Sequence, residues 1–319
     1  MNLGPSIALG PGREFDLIRA IANALGPTAT GLGDDCALVP AGPSTFAVSV
    51  DCSIEGVHFR SEWLTAHEIG WRAAAAALSD LAADGAKPLG VLVSLALPLS
   101  TGQGDAGETA VALMAGAGAA AAAVGARVLG GDLSRFEKIV IDVCALGTVD
   151  HAVRRAGARA GDGLWVTGAL GGARLALRTL QAGRTPEADL RARFARPEPR
   201  IAAGRWLADR GATAMIDVSD GLGADAQHLA AASGVGLVVA LERVPCWFGA
   251  DALTAVASGE EYELLVTLPA SFGLAEAQAF EEFHDLALTR VGDVVAGEGV
   301  RFTDRGAAVT PPGGWDHFA

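Results

Sequence analysis

Apolar, strand-like runs that give way to aspartates in small-residue loops recur along the whole chain, with helix-favouring stretches between them. Residues 14–25 carry helical spacing (Phe15, Ile18, Ile21, Ala22, Leu25) and stop at Gly26-Pro27. A loop with Gly33-Asp34-Asp35 then leads into strand-like runs at 36–39 and 45–50, the second closing on Asp51. Residues 66–84 are Ala-rich and predict a helix, 89–97 a strand, 108–124 a helix and 139–146 a strand, with 128–129 entering a Gly130-Gly131-Asp132 loop. After a polar, Arg- and Gly-rich stretch at 150–163 the theme returns: a strand at 164–167, a helix at 173–182, and 214–216 running into Asp217-Val-Ser-Asp-Gly221. A helix to about residue 232 and strands at 236–241 and 263–268 follow, with no short-period repeat of a solenoid. This alternation predicts a two-domain α+β fold, with a mixed α/β domain over 1–150 and a sandwich-like α/β domain over 151–319. A length of 319 residues agrees with two domains of ordinary size.

Composition narrows the partners. A formal net charge of -13 repels polyphosphate at long range, which argues against nucleic acid and anionic membrane surfaces. Any phosphate ligand must therefore arrive with cations. Cys36, Cys52, Cys144 and Cys246 lack CxxC spacing and read as buried free thiols of a reducing cytoplasm. The first fifteen residues have no basic region followed by a long apolar run, so no signal peptide is read there. Residues 109–126 are uncharged over a length that would span a bilayer. They are mostly Ala and Gly, flanked by Glu108 and Arg127, and are expected to form a buried helix instead.

The two lysines, Lys87 and Lys138, follow Ala86 and Glu137, so neither is the lysine of a Gly-Lys-Ser/Thr phosphate loop. Residues 168–172 lack a full GxGxxG, and no protein-kinase glycine loop with its strand lysine is present. ATP chemistry here would have to neutralise phosphate with metals and arginine. Five acidic clusters offer the ligands: Gly33-Asp34-Asp35, Ser49-Val50-Asp51, Ser79-Asp80-Leu81, Gly131-Asp132-Leu133-Ser134 and Asp217-Val218-Ser219-Asp220-Gly221. Carboxylate and hydroxyl oxygens suit Mg²⁺, which commonly bridges one or two carboxylates to substrate phosphates. Taken singly, each cluster reads first as a helix N-cap, Asp80 and Asp220 above all. His58 alone reads as a structural histidine, Arg155 as a surface charge and Trp315 as a tail residue or core plug.

Taken in order, the segments resemble those of the thiamine-monophosphate kinases. The family pattern has GDD-A, TD…EGVHF, LSDLAAMGA-P, GGDTT, IDxSDGL-xD and GGEDYEL segments. This chain has Gly33-Asp-Asp-Cys-Ala-Leu38, Val50-Asp-Cys-Ser-Ile-Glu-Gly-Val-His-Phe59, Leu78-Ser-Asp-Leu-Ala-Ala-Asp-Gly-Ala-Lys-Pro88, Gly130-Gly-Asp-Leu-Ser134, Ile216-Asp-Val-Ser-Asp-Gly-Leu-Gly-Ala-Asp225 and Ser258-Gly-Glu-Glu-Tyr-Glu-Leu264. The resemblance spans nearly the whole chain. It implies magnesium ligands at Asp35, Asp51, Asp80, Asp132 and Asp217, a further ion at Asp220, and a shell completed by Ser49 and the Val50 carbonyl. It implies nucleotide contacts at Gly131, Asp132, Arg155 and Ser219, with Asp132 and Arg155 catalytic. Substrate contacts are implied at His58, Glu260 and Trp315, the last stacking on the cationic thiazolium or the pyrimidine.

The resemblance further implies several Mg²⁺ ions, ATP as co-substrate, thiamine monophosphate as acceptor, and a homodimer joined through the N-terminal sheet. Departures from the pattern include Leu133-Ser134 in place of paired threonines, Val50 in place of a threonine, and Glu261 in place of an aspartate in a segment that also loses its first glycine. Related ATP users, namely aminoimidazole-ribotide synthetase, selenophosphate synthetase and a hydrogenase-maturation enzyme, are the alternatives within the superfamily. A magnesium-nucleotide-binding module without turnover is the alternative outside enzymes.

Overall fold

The computed structural model describes residues 8–26, 31–101, 104–311 and 313–315. The N-terminal half runs α1 (Arg13–Leu25), β1 (Ala37–Ala41), β2 (Ser44–Ile54), α2 (Ala66–Ala83), β3 (Lys87–Leu97), the short β4 (Ser100–Thr101) and β5 (Gly104–Asp105), α3 (Ala106–Ala123), β6 (Arg127–Arg135) and β7 (Val140–Val149). The C-terminal half runs β8 (Gly163–Thr167), α4 (Gly172–Gln181), α5 (Ala188–Ala195), α6 (Ile201–Asp209), β9 (Ala214–Asp217), α7 (Leu222–Ser233), β10 (Gly236–Ala240), α8 (Ala252–Val256), β11 (Leu264–Leu268), α9 (Leu274–His284), β12 (Leu288–Val295), β13 (Gly299–Asp304) and β14 (Ala307–Val309).

Two mixed sheets result, as the α+β expectation requires. The first has strand order β1-β2-β7-β3-β6, antiparallel except where β6 joins β3 in parallel. The second has order β14-β13-β10-β12-β8-β11-β9, with one parallel pair, β10 and β13. Two sequence-based expectations need correction. Strand β2 does not stop at Asp51 but continues to Ile54, and the predicted Gly130-Gly131-Asp132 loop lies within strand β6. Pairing across from the apolar β3 overrides the weak strand propensity of the glycines.

Helix α2 lies between the sheets, touching β2 and β7 of the first and β9 of the second. Its alanines Ala73–Ala77, with Leu78 and Leu81, are buried, because small side chains let neighbours approach the helix on several sides. The crossing with α3 shows how close that approach is. A Cβ on Gly70 would sit 1.8 Å from the Leu113 carbonyl oxygen, and one on Gly116 1.8 Å from that of His67. The Ala/Gly richness of the apolar stretch is thus a packing requirement. Among the described helices, α3 alone is long and apolar enough to cross a membrane, and a third of its apolar window is buried, 33%. Its other face is exposed, with Val111 outermost, so the helix is less buried than expected.

Among the cysteines, Cys36 is buried and Cys144 and Cys246 are half-buried, whereas Cys52 is exposed, against the expectation of four buried thiols.

Candidate functional site

Four segments from both halves converge beside the central helix. The 33–35 loop delivers Asp35, the inner face of β2 delivers Ser49 and Asp51, the last turn of α2 delivers Asp80, and β9 ends on Asp217. Carboxylate oxygens of Asp35, Asp80 and Asp217 all lie within 4.8 Å of one another. Ser49 donates its hydroxyl to Asp80, and Ser79 donates to Asp217 at 2.7 Å, so adjacent residues of α2 reach one sheet each. Asp80 stands inside the helix and Asp220 precedes Gly221, the N-cap of α7, which has no side-chain cap bond. Neither aspartate is therefore the helix cap that its local sequence suggested.

The electrostatics of this arrangement are those of a cation receptor. Burial, then the charges of Asp217, Asp35 and Asp51, push the Asp80 carboxyl well above the usual range. Burial, then Asp35, push Asp217 up to about 7. Burial also raises Asp35, against the opposing pull of Arg155, whose guanidinium donates to it through Nε at 3.1 Å and a terminal nitrogen at 2.7 Å. Carboxylates held this close away from water need protons or cations, and an all-oxygen donor set fits a hard divalent ion.

A cavity of about 740 Å³ opens from this cluster, walled by Asp51, Asp80, Asp217, Asp220, Ser219 and Arg155. The same cavity is lined by His58, Glu260, Tyr262 and Trp315, and by Glu14, Phe15 and Ile18 of helix α1. His58 Nδ1 accepts the Ile54 N–H at 3.0 Å, which puts the ring proton on Nε2. Trp315 is tied in by its backbone N–H, which donates to the Asp220 carbonyl at 3.0 Å; residues 316–318 of the same segment lie outside the described residues. Glu260 and Tyr262 have φ of 58° and 53°, a left-handed conformation that costs non-glycine residues on the order of 1 kcal/mol or more. Contacts hold them there: the Glu260 N–H donates to the Ser219 carbonyl at 2.6 Å, and the Tyr262 N–H to the Val218 carbonyl at 2.9 Å.

Sequence reasoning missed Arg72. It is buried in α2, forms an ion pair with Glu260 and stacks on Phe194 at 4.2 Å. A single arginine inside an otherwise Ala-rich helix was the signal. Glu261, which departs from the family pattern, also has a physical account. Its buried carboxylate accepts from the N–H groups of Gly171 and Ala173 at the start of α4, at 2.8 and 3.1 Å, and pairs with Arg193.

Two groups of predicted residues are not brought into the cavity. Asp132 pairs with Ser94 in register and shares its outward face, while Ser49 and Asp51 point inward from the same sheet. All of β6 is exposed, so Gly131 and Asp132 stand on an open sheet edge. Val50 likewise turns its side chain outward, 64% exposed, leaving only its backbone near the acidic cluster.

Comparison with known proteins identifies the family. Residues 33–149 match the family model of the AIR synthase related protein N-terminal domain, and 159–305 that of the C-terminal domain. The thiamine-monophosphate kinase of Halobacterium salinarum is 35% identical over 309 residues, covering 94% of this chain and 99% of its own. That of Mycobacterium tuberculosis is 36% identical over 289 residues, covering 89% and 82%. The solved structure of AaThiL complexed with AMPPCP and TMP superposes with a TM-score of 0.84 at 32% identity, covering 96% of this chain and 97% of that one. With matched models over both halves and near-full-length relatives above 30% identity, the chain belongs to the AIR synthase-related family, among its thiamine-monophosphate kinases.

Proposed function

We propose that the protein transfers the γ-phosphoryl group of ATP to the phosphate of thiamine monophosphate, giving thiamine diphosphate and ADP. The observation that carries this reading is one cavity lined both by Asp80 and Asp217 of the acidic cluster and by His58, Glu260 and Trp315. The acceptor needs no strong base, because a phosphate monoester with a second pKa near 6 is already largely ionised at pH 7. The obstacle is charge: at 4 Å each pair of unit charges costs roughly 4 kcal/mol at an effective dielectric of 20. Magnesium ions, held by Asp35, Asp80 and Asp217 with Asp51 and Asp220 alongside, would supply the compensating positive charge.

The protein's own part is positioning. Arg155 aligns Asp35 and presents cationic surface at the cavity wall, and Arg72 holds Glu260 against the acceptor side. Ser49 and Ser79 fix the carboxylates of Asp80 and Asp217. Trp315 offers an aromatic face to a cationic ring, an attraction worth about 0.5–2 kcal/mol. Division of the work between residues 1–150 and 151–319 follows from the same reading, with metal ligands mainly from the first and substrate contacts mainly from the second.

The working form would be a cytoplasmic homodimer. Val50, Leu89, Leu92, Val128 and Leu129 are exposed in the first sheet, and β6 is an unpaired edge, a combination that favours a partner. In such a dimer Gly131 and Asp132 would serve the partner's cavity, since their edge strand stands outside their own and Asp132 faces away from it. The test is ADP release with MgATP, with and without thiamine monophosphate. Release that depends on this acceptor supports the kinase; release with a different acceptor, or none, overturns it.

A further inference from the structure

Helix α2 ends on Asp84, which serves as its C-cap, and the chain then turns at Gly85 with φ 68°. A carboxylate has the wrong charge for this end of a helix, where the last carbonyls already concentrate negative potential. Asp84 is also fully buried, and no N–H or O–H of the described residues donates to either of its oxygens, the weak Cys36 thiol being the polar group that interacts with it. Burial, then the carboxylates of Asp34, Asp35 and Asp80, raise its pKa well above the usual range.

Both guanidiniums of this region are committed elsewhere. Arg154 Nε donates to Asp34 at 2.5 Å, and Arg155 holds Asp35 through two nitrogens. Three carboxylates set against two guanidiniums leave one buried charge without a partner. An unpaired buried charge costs several kcal/mol, so the position calls for a counter-ion or a proton. Geometry favours the ion, because oxygens of Asp34, Asp35 and Asp84 lie within 4.8 Å of one another. That is the span available to ligands each roughly 2.4 Å from a common cation.

We propose that Asp34, Asp35 and Asp84 hold a hard cation behind the phosphate-binding cavity, at a site that shares only Asp35 with the Asp35–Asp80–Asp217 cluster. The ion ties the C-terminus of α2 to the 33–35 loop and so sets the position of Asp35 beside Asp80 and Asp217. The site belongs to this chain's own sequence: the family pattern LSDLAAMGA-P has methionine where Asp84 stands, an apolar side chain suited to a buried slot without an ion. The proposal does not rest on the choice of phosphoryl acceptor.

The test uses the full chain without nucleotide or thiamine monophosphate and compares wild type with Asp84→Met, the near-isosteric Asp84→Asn, and Asp80→Asn. Thermal unfolding is followed in chelator with tetramethylammonium chloride, then with KCl, NaCl, MgCl₂ or MnCl₂, and bound Mn²⁺ is counted by electron paramagnetic resonance. Wild type is expected to gain about 2 °C or more beyond Asp84→Met in the responding salt, Asp84→Met keeping only what the Asp35–Asp80–Asp217 cluster contributes, and Asp80→Asn should still gain. Response to KCl or NaCl alone assigns a monovalent ion. Response to MgCl₂ or MnCl₂, with one fewer Mn²⁺ in Asp84→Met than in wild type, assigns a divalent one. If Asp84→Met fails to fold, Asp84→Asn carries the same comparison. An Asp84 variant that responds to every salt as wild type does overturns the proposal and leaves Asp84 a buried neutral acid.

Discussion

The inner and outer faces of the first sheet carry aspartates that look alike in sequence and live under different physics. Asp51 and, behind it, Asp80 and Asp35 face inward, where burial and mutual repulsion lift the Asp35 and Asp80 carboxyls above their usual range. Asp132 stands on the outer face of an exposed edge strand, where its recorded side-chain partner is the Ser134 hydroxyl at 3.2 Å. The difference teaches that an acidic motif names a ligand type, while the face of the strand decides whose cavity it can serve.

The largest expected effect breaks the inner group. Asp80→Asn should lower turnover by about a thousandfold or more, since it removes a cation ligand from the centre of the cluster. In chelator the same variant should unfold at a higher temperature than wild type, because one of several repelling buried carboxylates is gone. Equal activity, or a lower unfolding temperature, would break the distinction from that side.

The outer group should show the reverse pairing. Asp132→Asn is expected to cost about a hundredfold in turnover with no change in unfolding temperature. If Asp132 serves the partner's cavity, a refolded equal mixture of Asp80→Asn and Asp132→Asn should recover about a quarter of wild-type activity, because half the dimers are mixed and each has one intact site. No recovery on mixing would return Asp132 to its own chain.

A third region, the cavity rim, sharpens the comparison through pH. His228 is buried, stacks on Phe15 of α1 at 3.9 Å, and has its pKa lowered to about 4 by burial and then by Arg155. Its folded-state value lies below the unfolded one of about 6.5, so the unfolded chain binds the proton more tightly. The stabilisation is therefore complete above pH 6.5 and is lost as pH falls toward 4, on the order of 2 kcal/mol. His228→Phe, which keeps an aromatic ring against Phe15, should flatten that acid limb in urea unfolding between pH 7 and 4; an unchanged limb would assign acid sensitivity to other groups. The smallest effect belongs to Leu133, an exposed residue of β6. Leu133→Thr restores the hydroxyl of the family pattern and should lower KM for ATP about two- to threefold in a steady-state assay, with kcat unchanged.

Much of the fold was legible because strand runs and Ala-rich helices have different periods. The boundaries of α1, α2 and β11 follow directly from the spacing of their apolar residues. Elements α5, α6, α9 and β12 to β14 were not read, since their short or weakly periodic segments take their shape from partners distant in sequence. The 130–132 segment departs from its local reading for a related reason: its glycines signal a loop, and only the neighbouring β3 makes it a strand. In the site, Asp35, Asp80 and Asp217 carried a motif and were nameable, whereas Arg72 and Asp84 acquire their meaning from burial. No local pattern announces that an arginine will pair with Glu260, nearly two hundred residues away, or that a helix will end on a buried carboxylate without an N–H or O–H donor.

The glycine and alanine contacts around α2 bear on what stays fixed beside the cavity. A Cβ on Gly204 of α6 would lie 2.0 Å from the Ala82 carbonyl oxygen, and one on Gly85 would lie 2.7 Å from the Ala208 side chain. With α3 pressed as closely on its other side, the helix works as a common keel rather than a hinge. Hull and keel cannot roll independently without parting contacts that leave no slack. The α1 helix and the 313–315 segment, which also line the cavity, are not part of that keel, and the aspartates stay where the keel has set them.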